Sequence, residues 1–246
     1  MQTSIRPRRY DGMIPVACRA RPRALAMSAV ASFLDRAAAG NALAEVLATH
    51  ALLSRCAPPL VLAIPRGGVP VAMPIARQLN GTLDVLLAHK LRAPHQAELA
   101  VGAVDEFGGI FLADHALSLG ATGTYLSHES ARQRALIQQR RQAYTPGRGA
   151  PHVTGRPVVI VDDGIATGAT MTAALRAMRR LGATPLVACA PVGARDAIAR
   201  LSPLADAVVC LETPQPFYAV SVAYSDFAQT DDATVIALLA MAADRP

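Results

Sequence analysis

Short apolar runs alternate with longer stretches of helical character along most of this 246-residue chain. Five runs have the length and composition of buried strands, at residues 60–64, 83–90, 156–161, 184–192 and 206–212. Stretches with helical patterning flank them, at residues 32–53, 69–80, 127–144, 169–182 and 194–202. Buried strands that alternate with helices are typical of a parallel sheet with both faces covered. The pattern therefore predicts an α/β fold.

One segment departs from this alternation. Residues 98–114 have the pattern of a β-hairpin, and Gly108 and Gly109 mark its turn. Because no low-complexity linker follows residue 26, we expect one domain over residues 27–246.

Charge is concentrated at the amino-terminal end. The chain has a net charge of +6, of which residues 1–26 contribute +5 and the remaining residues about +1. Residues 1–26 are Arg-rich, lack apolar periodicity and contain three prolines, which predicts a disordered tail. The nearly neutral body argues against a nucleic-acid partner.

Composition favours a soluble cytoplasmic protein. Hydrophobic residues make up 52% of the chain, enough for a sizeable core, but no apolar run is long enough to cross a membrane, so we expect no membrane partner. The four cysteines are too dispersed for a metal site, and Cys189 and Cys210 lie in apolar runs typical of buried reduced thiols. We therefore expect no metal site built from protein ligands alone.

Unusual chemistry follows three of the predicted strands. The sequence PRGG follows the first strand, His-Lys ends the second, and DDGIATGAT follows the third. Ligands of open parallel sheets bind beyond the carboxyl ends of the strands. These three segments are therefore expected to converge on one site.

The third segment has the chemistry of a sugar-phosphate site. Gly164 and Gly168 permit backbone conformations that expose N–H groups, and the N-terminus of the next helix favours an anion. Asp162 and Asp163 would accept hydrogen bonds from a polyol or help to hold a metal. A nucleotide-binding P-loop is excluded because Ala169 stands where its lysine is required. An ordinary strand-to-helix turn remains the alternative.

A hydrophobic strand followed by Asp-Asp, two residues and Ala-Thr-Gly-Ala-Thr resembles the signature of type I phosphoribosyltransferases. The stretches FLDRAAAGNALAEVL and PRGGVPVA are similar to a poorly characterised bacterial branch of that family. The resemblance implies the family's parallel-sheet, Rossmann-like fold, with a small hood and a mobile loop or hairpin. It also implies a binding site for 5-phosphoribosyl 1-diphosphate (PRPP) at Asp162, Asp163, Gly164, Ile165, Ala166, Thr167, Gly168, Ala169 and Thr170.

The resemblance extends to the leaving group. Arg66, Gly67 and Gly68 match the family's pyrophosphate loop, in which a cis peptide is common. Lys90, the only lysine in the chain, ends the second predicted strand and is expected to bind pyrophosphate as well.

Candidate residues for proton transfer and base binding are less specific. Residues 91–98 lie where relatives carry the mobile loop, so His95 and Glu98 are candidates for acid–base chemistry. Together with the two cationic residues of the pyrophosphate site, the predicted catalytic residues are Arg66, Lys90 and Glu98. Phe217 and Tyr218 resemble the aromatic residues that stack on a purine, with core packing as the alternative.

The function implied is transfer of the 5-phosphoribosyl group from PRPP to a nitrogen acceptor, a nucleobase, with release of pyrophosphate and with Mg²⁺ bound together with PRPP. The alternative is a regulatory protein that binds PRPP without transferring it. The acceptor and the oligomeric state, monomer or homodimer, stay open.

Overall fold

The computed structural model describes residues 31–94, 96–113 and 115–243, so the predictions for the tail at 1–26 and for His95 lie outside the described residues. The strands are β1 Leu60–Ala63, β2 Thr82–Val85, β3 Ala88–Ala93, β4 Gln96–Asp105, β5 Ile110–Leu112, β6 Val158–Val161, β7 Leu186–Val192 and β8 Ala207–Glu212. The helices are α1 Arg36–Ala48, α2 Gly68–Gln78, α3 Gly123–Tyr144, α4 Ala169–Arg180, α5 Arg195–Leu201 and α6 Asp232–Ala243.

Five parallel strands form the central sheet, in the order β2-β1-β6-β7-β8. Residues of β1, β6 and β7 are all buried. Alternate residues of β6 enter different clusters: Val159 and Val161 pack with α1 and α2, whereas Val158 and Ile160 pack with α4. Both faces of the sheet are therefore covered, which explains why the strands are continuously apolar and confirms the predicted α/β fold.

The prediction of a single strand over residues 83–90 is wrong, because these residues belong to two strands of different sheets. The central strand β2 ends at Val85, and β3 belongs to a separate antiparallel sheet with the order β3-β4-β5. The Leu86 N–H still bonds to the central sheet, but the Leu87 N–H donates to the Glu106 carboxylate at 3.0 Å. Because both leucines are buried, the apolar run continues through the change of sheet without a turn residue.

This change of sheet relocates Lys90. The residue lies within β3, opposite Ala103 of β4, and not at the end of a central strand as predicted. The hairpin predicted over residues 98–114 is confirmed as β4 and β5, with Gly108 in the turn at a φ of +84°. Residues 91–98, expected to form a loop, are mostly paired in β3 and β4, since Ala93 lies opposite Gln96.

The first helix is shorter than the predicted range of 32–53. It begins after Asp35, whose carboxylate accepts a hydrogen bond from the Ala38 N–H at 2.7 Å and so caps the helix. Phe33 lies before this cap and pairs instead with Tyr224 as an isolated parallel bridge. The segment before α1 is thereby attached to the carboxyl-terminal part of the chain.

The two cysteine predictions that the structure can test are confirmed. Cys189 and Cys210 are buried and are not in disulfides, and burial raises the pKa of the Cys189 thiol. Among the described residues, the helices are all too short or too polar to cross a membrane.

Candidate functional site

The acidic loop at residues 162–168 lies between β6 and α4. Its middle is attached to the end of β7: the Ile165 N–H donates to the Val192 carbonyl at 2.9 Å, and the Ala194 N–H donates to the Ile165 carbonyl at 2.8 Å. These bonds hold the loop at the carboxyl edge of the central sheet, as the sequence predicts.

A cavity of about 150 Å³ lies in this loop, against the N-terminus of α4. Its lining consists of Asp162, Gly164, Ile165, Ala166, Thr167, Gly168, Ala169, Thr170 and Met171. Gly168 has a φ of +75°, a conformation that favours glycine, and this turn brings the chain into the helix. The N–H groups and partial positive charge of a helix N-terminus favour an anion, so the cavity has the chemistry of a phosphate site.

The two adjacent carboxylates have different electrostatic surroundings. Burial raises the pKa of Asp162 well above its usual range, and the neighbouring charge of Asp163 raises the pKa further. One oxygen of Asp162 accepts a hydrogen bond from the Asp163 N–H at 2.9 Å. Asp163 instead has a cationic partner, because Arg36 Nε donates to its Oδ2 at 2.8 Å. Asp163 is thus paired with a positive charge, whereas ionisation of the buried Asp162 carries an energetic cost.

The loop after β1 contacts the acidic pair directly. A Cβ atom added to Gly67 would lie 1.9 Å from Asp163 Oδ2, and one added to Gly68 would lie 2.7 Å from the Val161 carbonyl oxygen. A Cβ atom fits at neither position unless a neighbouring group moves. The Pro65–Arg66 peptide bond is cis, as the resemblance implied. The structure therefore brings together the predicted pyrophosphate loop and the acidic pair.

The Arg66 side chain points toward the N-terminus of α6. Its Nη1 lies 3.8 Å from Asp232 Oδ1, and about 38% of the side chain is exposed. Asp232 also accepts a hydrogen bond from the buried Tyr144 hydroxyl at 2.6 Å. Burial, together with this bond, raises the pKa of Tyr144 to about 12. Arg66 is thus beside the predicted site and partly free to contact a ligand.

Lys90 and Glu98 lie on the antiparallel hairpin. Both line a cavity of about 330 Å³ between β3, β4 and α3. Lys90 also lines a cavity of about 300 Å³ together with Thr170, which belongs to the phosphate-type cavity as well. Lys90 and the N-terminus of α4 therefore line one cavity. Glu98 does not line the cavity of the acidic loop, and its role in proton transfer stays a prediction.

The acidic loop is covered by a hood, formed by residues 33–36 and 217–228. The two segments pair through the Phe33 N–H, which donates to the Ala223 carbonyl at 2.9 Å. The Tyr224 hydroxyl donates to the Asp163 carbonyl at 2.5 Å. A Cβ atom added to Gly164 would lie 2.3 Å from the Val220 side chain. The hood therefore rests on the backbone of the acidic loop.

The two aromatic candidates for base binding occupy different surroundings in the hood. Phe217 packs with Val192 and Tyr224 in a small apolar cluster. Tyr218 is 79% exposed. Phe217 thus has the packing role that the sequence left as an alternative, and base stacking by either residue stays a prediction.

Sequence reasoning missed the contact between Arg36 and Asp163. Arg36 also donates from Nη1 to the Ala228 carbonyl at 2.8 Å, and its guanidinium lies 3.9 Å from the centroid of the Phe227 ring. One signal was available: Arg36 is the first residue of α1, where a cation opposes the helix dipole.

Comparisons with known proteins identify the family to which this chain is similar. A model of the phosphoribosyl transferase domain matches residues 31–227. Two curated relatives from Mycobacterium tuberculosis, strains CDC 1551 / Oshkosh and ATCC 25618 / H37Rv, are named provisionally as phosphoribosyl transferases. Each is 45% identical over 212 residues, which are 84% of this chain and 46% of the relative. The chain thus spans about half the length of these relatives.

A solved structure matches more completely. The crystal structure of TT1426 from Thermus thermophilus has 44% sequence identity and a TM-score of 0.72. The match covers 84% of this chain and 97% of that one.

Proposed function

This chain belongs to the phosphoribosyl transferase domain family, and from that premise we propose that it transfers the 5-phosphoribosyl group of PRPP to a nitrogen atom of a nucleobase. One observation supports this proposal above the others. A phosphate-type cavity, an acidic pair and a glycine loop adjoin one another at a single edge of the sheet.

These three parts correspond to the three parts of PRPP. The N-terminus of α4 would bind the 5-phosphate, and Asp162 and Asp163 would accept hydrogen bonds from the ribose hydroxyls. Gly67 and Gly68 would let the pyrophosphate approach the backbone, with Arg66 and Lys90 supplying positive charge.

In the proposed reaction the acceptor nitrogen forms a bond to C1 of the ribose, while the bond from C1 to the pyrophosphate oxygen breaks. The protein performs little covalent chemistry. Its residues hold the two reactants in line and stabilise the charge that develops on the leaving pyrophosphate. Because Ala166 has no proton to exchange, Glu98, solvent or the pyrophosphate itself would handle the acceptor proton.

We propose that a magnesium ion arrives bound to PRPP. The part of the chain that the structure describes has no group of three or more His, Cys, Asp or Glu side chains that could hold a metal alone. When bound, the ion would neutralise part of the pyrophosphate charge. Most of its ligands would then be oxygens of PRPP and water.

The proposal is tested first by binding. We expect PRPP with Mg²⁺ to bind in isothermal titration calorimetry and to raise the melting temperature, because a ligand selective for the folded state stabilises that state. Absence of binding at millimolar PRPP would refute the proposal.

Activity is tested separately by screening nucleobases for PRPP-dependent release of pyrophosphate. Release with one base identifies the acceptor. Binding of PRPP without release from any base would instead favour the regulatory alternative.

A further inference from the structure

Arg36 occupies a position that helix stability does not explain. It is the first residue of α1, where the helix dipole disfavours a positive charge. The preceding residue, Asp35, already caps this helix through the Ala38 N–H. Contacts outside α1 therefore explain why an arginine stands at this position.

Three contacts fix the Arg36 guanidinium. Nε donates to Asp163 Oδ2 at 2.8 Å, Nη1 donates to the Ala228 carbonyl at 2.8 Å, and the Phe227 ring lies beneath the group at 3.9 Å. Only 11% of the side chain is exposed. A guanidinium held by a carboxylate, a carbonyl and an aromatic face has little freedom to change its orientation.

The same carboxylate oxygen is enclosed on its other side. Asp163 Oδ2 would lie 1.9 Å from a Cβ atom on Gly67, so it lies directly against the glycine loop. Arg36 and Gly67 thus both constrain Oδ2. The orientation of this carboxylate depends on a residue that is 127 positions away in the sequence.

We propose that Arg36 is a positioning residue for Asp163: by binding Oδ2 it fixes the orientation in which this carboxylate accepts a hydrogen bond from a hydroxyl of the ribose, and it connects the hood to the acidic loop. This inference rests on the proposed function, in which the acidic pair binds the ribose diol. Arg36 itself need not contact the ligand. A vicinal diol of a phosphorylated pentose is the chemistry that such a fixed carboxylate recognises.

The test is a double-mutant cycle between Arg36→Gln and Asp163→Asn, with PRPP affinity measured by calorimetry. We expect Arg36→Gln to weaken PRPP binding by about tenfold to a hundredfold, the range expected for a hydrogen bond to a charged group. In the Asp163→Asn background, Arg36→Gln should add little. Equal losses in both backgrounds would overturn the proposal.

Comparing the affinities of PRPP and ribose 5-phosphate distinguishes the positioning of Asp163 from a general structural effect of the substitution. Ribose 5-phosphate has the diol but no pyrophosphate, so its affinity should fall by the same factor as that of PRPP. A loss confined to PRPP would contradict the proposal. Arg36→Lys should recover part of the affinity, because an ammonium group can still meet Oδ2, and this variant also serves if Arg36→Gln does not fold.

The matched control is Ser32→Ala. Ser32 donates to Glu212 of β8 and so anchors the same segment without contacting Asp163. Its PRPP affinity should stay within about twofold of wild type, less than the loss of one such hydrogen bond. If wild type fails to bind PRPP, the proposed function itself is wrong. If wild type binds and Arg36→Gln binds equally well, only the positioning role is wrong.

Discussion

At the scale of single residues, the two adjacent aspartates should have opposite effects on stability. The folded state raises the pKa of Asp162, so ionised Asp162 destabilises it at any pH above that raised value. Asp163 instead forms an ion pair with Arg36, which stabilises the folded state. The ligand-free protein should therefore fold better without the Asp162 carboxylate, which we propose to bind the ribose.

We expect Asp162→Asn to raise the melting temperature at pH 7 to 8 by about 2–4 °C, the shift that roughly 1 kcal/mol produces in a protein of this size. The gain should shrink as the pH falls through the raised pKa toward the ordinary aspartate value, because the native carboxyl then becomes protonated. Asp163→Asn, the matched variant, should lower the melting temperature. Scanning calorimetry across pH 5 to 8 measures both, and a destabilised Asp162→Asn at neutral pH would contradict this account.

Alanine substitutions at two neighbouring glycines should affect ligand binding and stability to different degrees. The added Cβ of Gly67→Ala meets the end of a side chain, Asp163, which can rotate away. The added Cβ of Gly68→Ala meets the Val161 carbonyl and the Asp162 backbone, which cannot. We expect Gly67→Ala to weaken PRPP binding by at least about tenfold, since one hydrogen bond to a charged group is lost. It should lower the melting temperature no more than Asp163→Asn does, because the displaced carboxylate loses its bond to Arg36.

Gly68→Ala should instead cost about 1–3 kcal/mol of stability, as overpacking does. Urea denaturation and calorimetry distinguish the two variants. Gly149→Ala is the control, because its added Cβ has nothing within 4 Å. Similar stability losses in all three variants would show that the close contacts at Gly67 and Gly68 do not determine the cost of an added Cβ atom.

At the scale of secondary-structure elements, one buried arginine fixes the hairpin sheet to the central sheet. Arg141 of α3 donates to Asp84 of β2 at 2.5 Å, to the Val85 carbonyl at 2.8 Å, and to Glu106 after β4 at 2.7 Å. Burial is the main cause of the raised pKa of Glu106. The two acids depend on this single cation within the low-dielectric interior.

Arg141→Met should therefore cost about 3–5 kcal/mol at neutral pH, the typical loss when one partner of a buried ion pair is removed. Urea denaturation measures this loss. Adding Glu106→Gln should recover part of it, because fewer uncompensated charges then remain buried. Arg140→Met on the exposed face of α3 is the control and should change stability by less than about 0.5 kcal/mol. A loss below about 1 kcal/mol for Arg141→Met would contradict the role assigned to the network.

Local patterns predict elements well where burial changes at an element boundary, and poorly where it does not. The strands β6 and β7 are bounded by turn and loop residues, so the sequence locates them. The change of sheet after Val85 passes through Leu86 and Leu87, which are buried in either arrangement. Hydrophobic periodicity reports burial and not the identity of the sheet.

At the scale of the whole molecule, the site combines segments that local patterns cannot connect. The phosphate-type loop is continuous in sequence, and its residues could be predicted from their chemistry and from the family resemblance. The hood joins Phe33 to Tyr224 and Arg36 to Ala228, contacts between segments from opposite ends of the described chain. Such contacts follow from the tertiary fold, which explains why sequence reasoning found Asp163 but not Arg36.

The family match to residues 31–227 and the placement of the positive charge in residues 1–26 lead to a prediction for the amino-terminal tail. We expect deletion of residues 2–26 to leave PRPP affinity near wild type and the melting temperature within about 2 °C, a change below roughly 1 kcal/mol. Calorimetry at matched ionic strength checks both quantities. A large loss of either would show that the tail contributes to the folded domain.

The pairing across the hood also sets the order in which the nascent protein can become functional. Arg36 is synthesised before its partner Ala228, which lies 192 residues later in the sequence, after all five central strands. Domains begin to fold during synthesis, so the sheet could assemble before the site does. A product truncated before residue 217 would keep the acidic pair and lose the second segment of the hood. Completion of the site thus requires synthesis through residue 228.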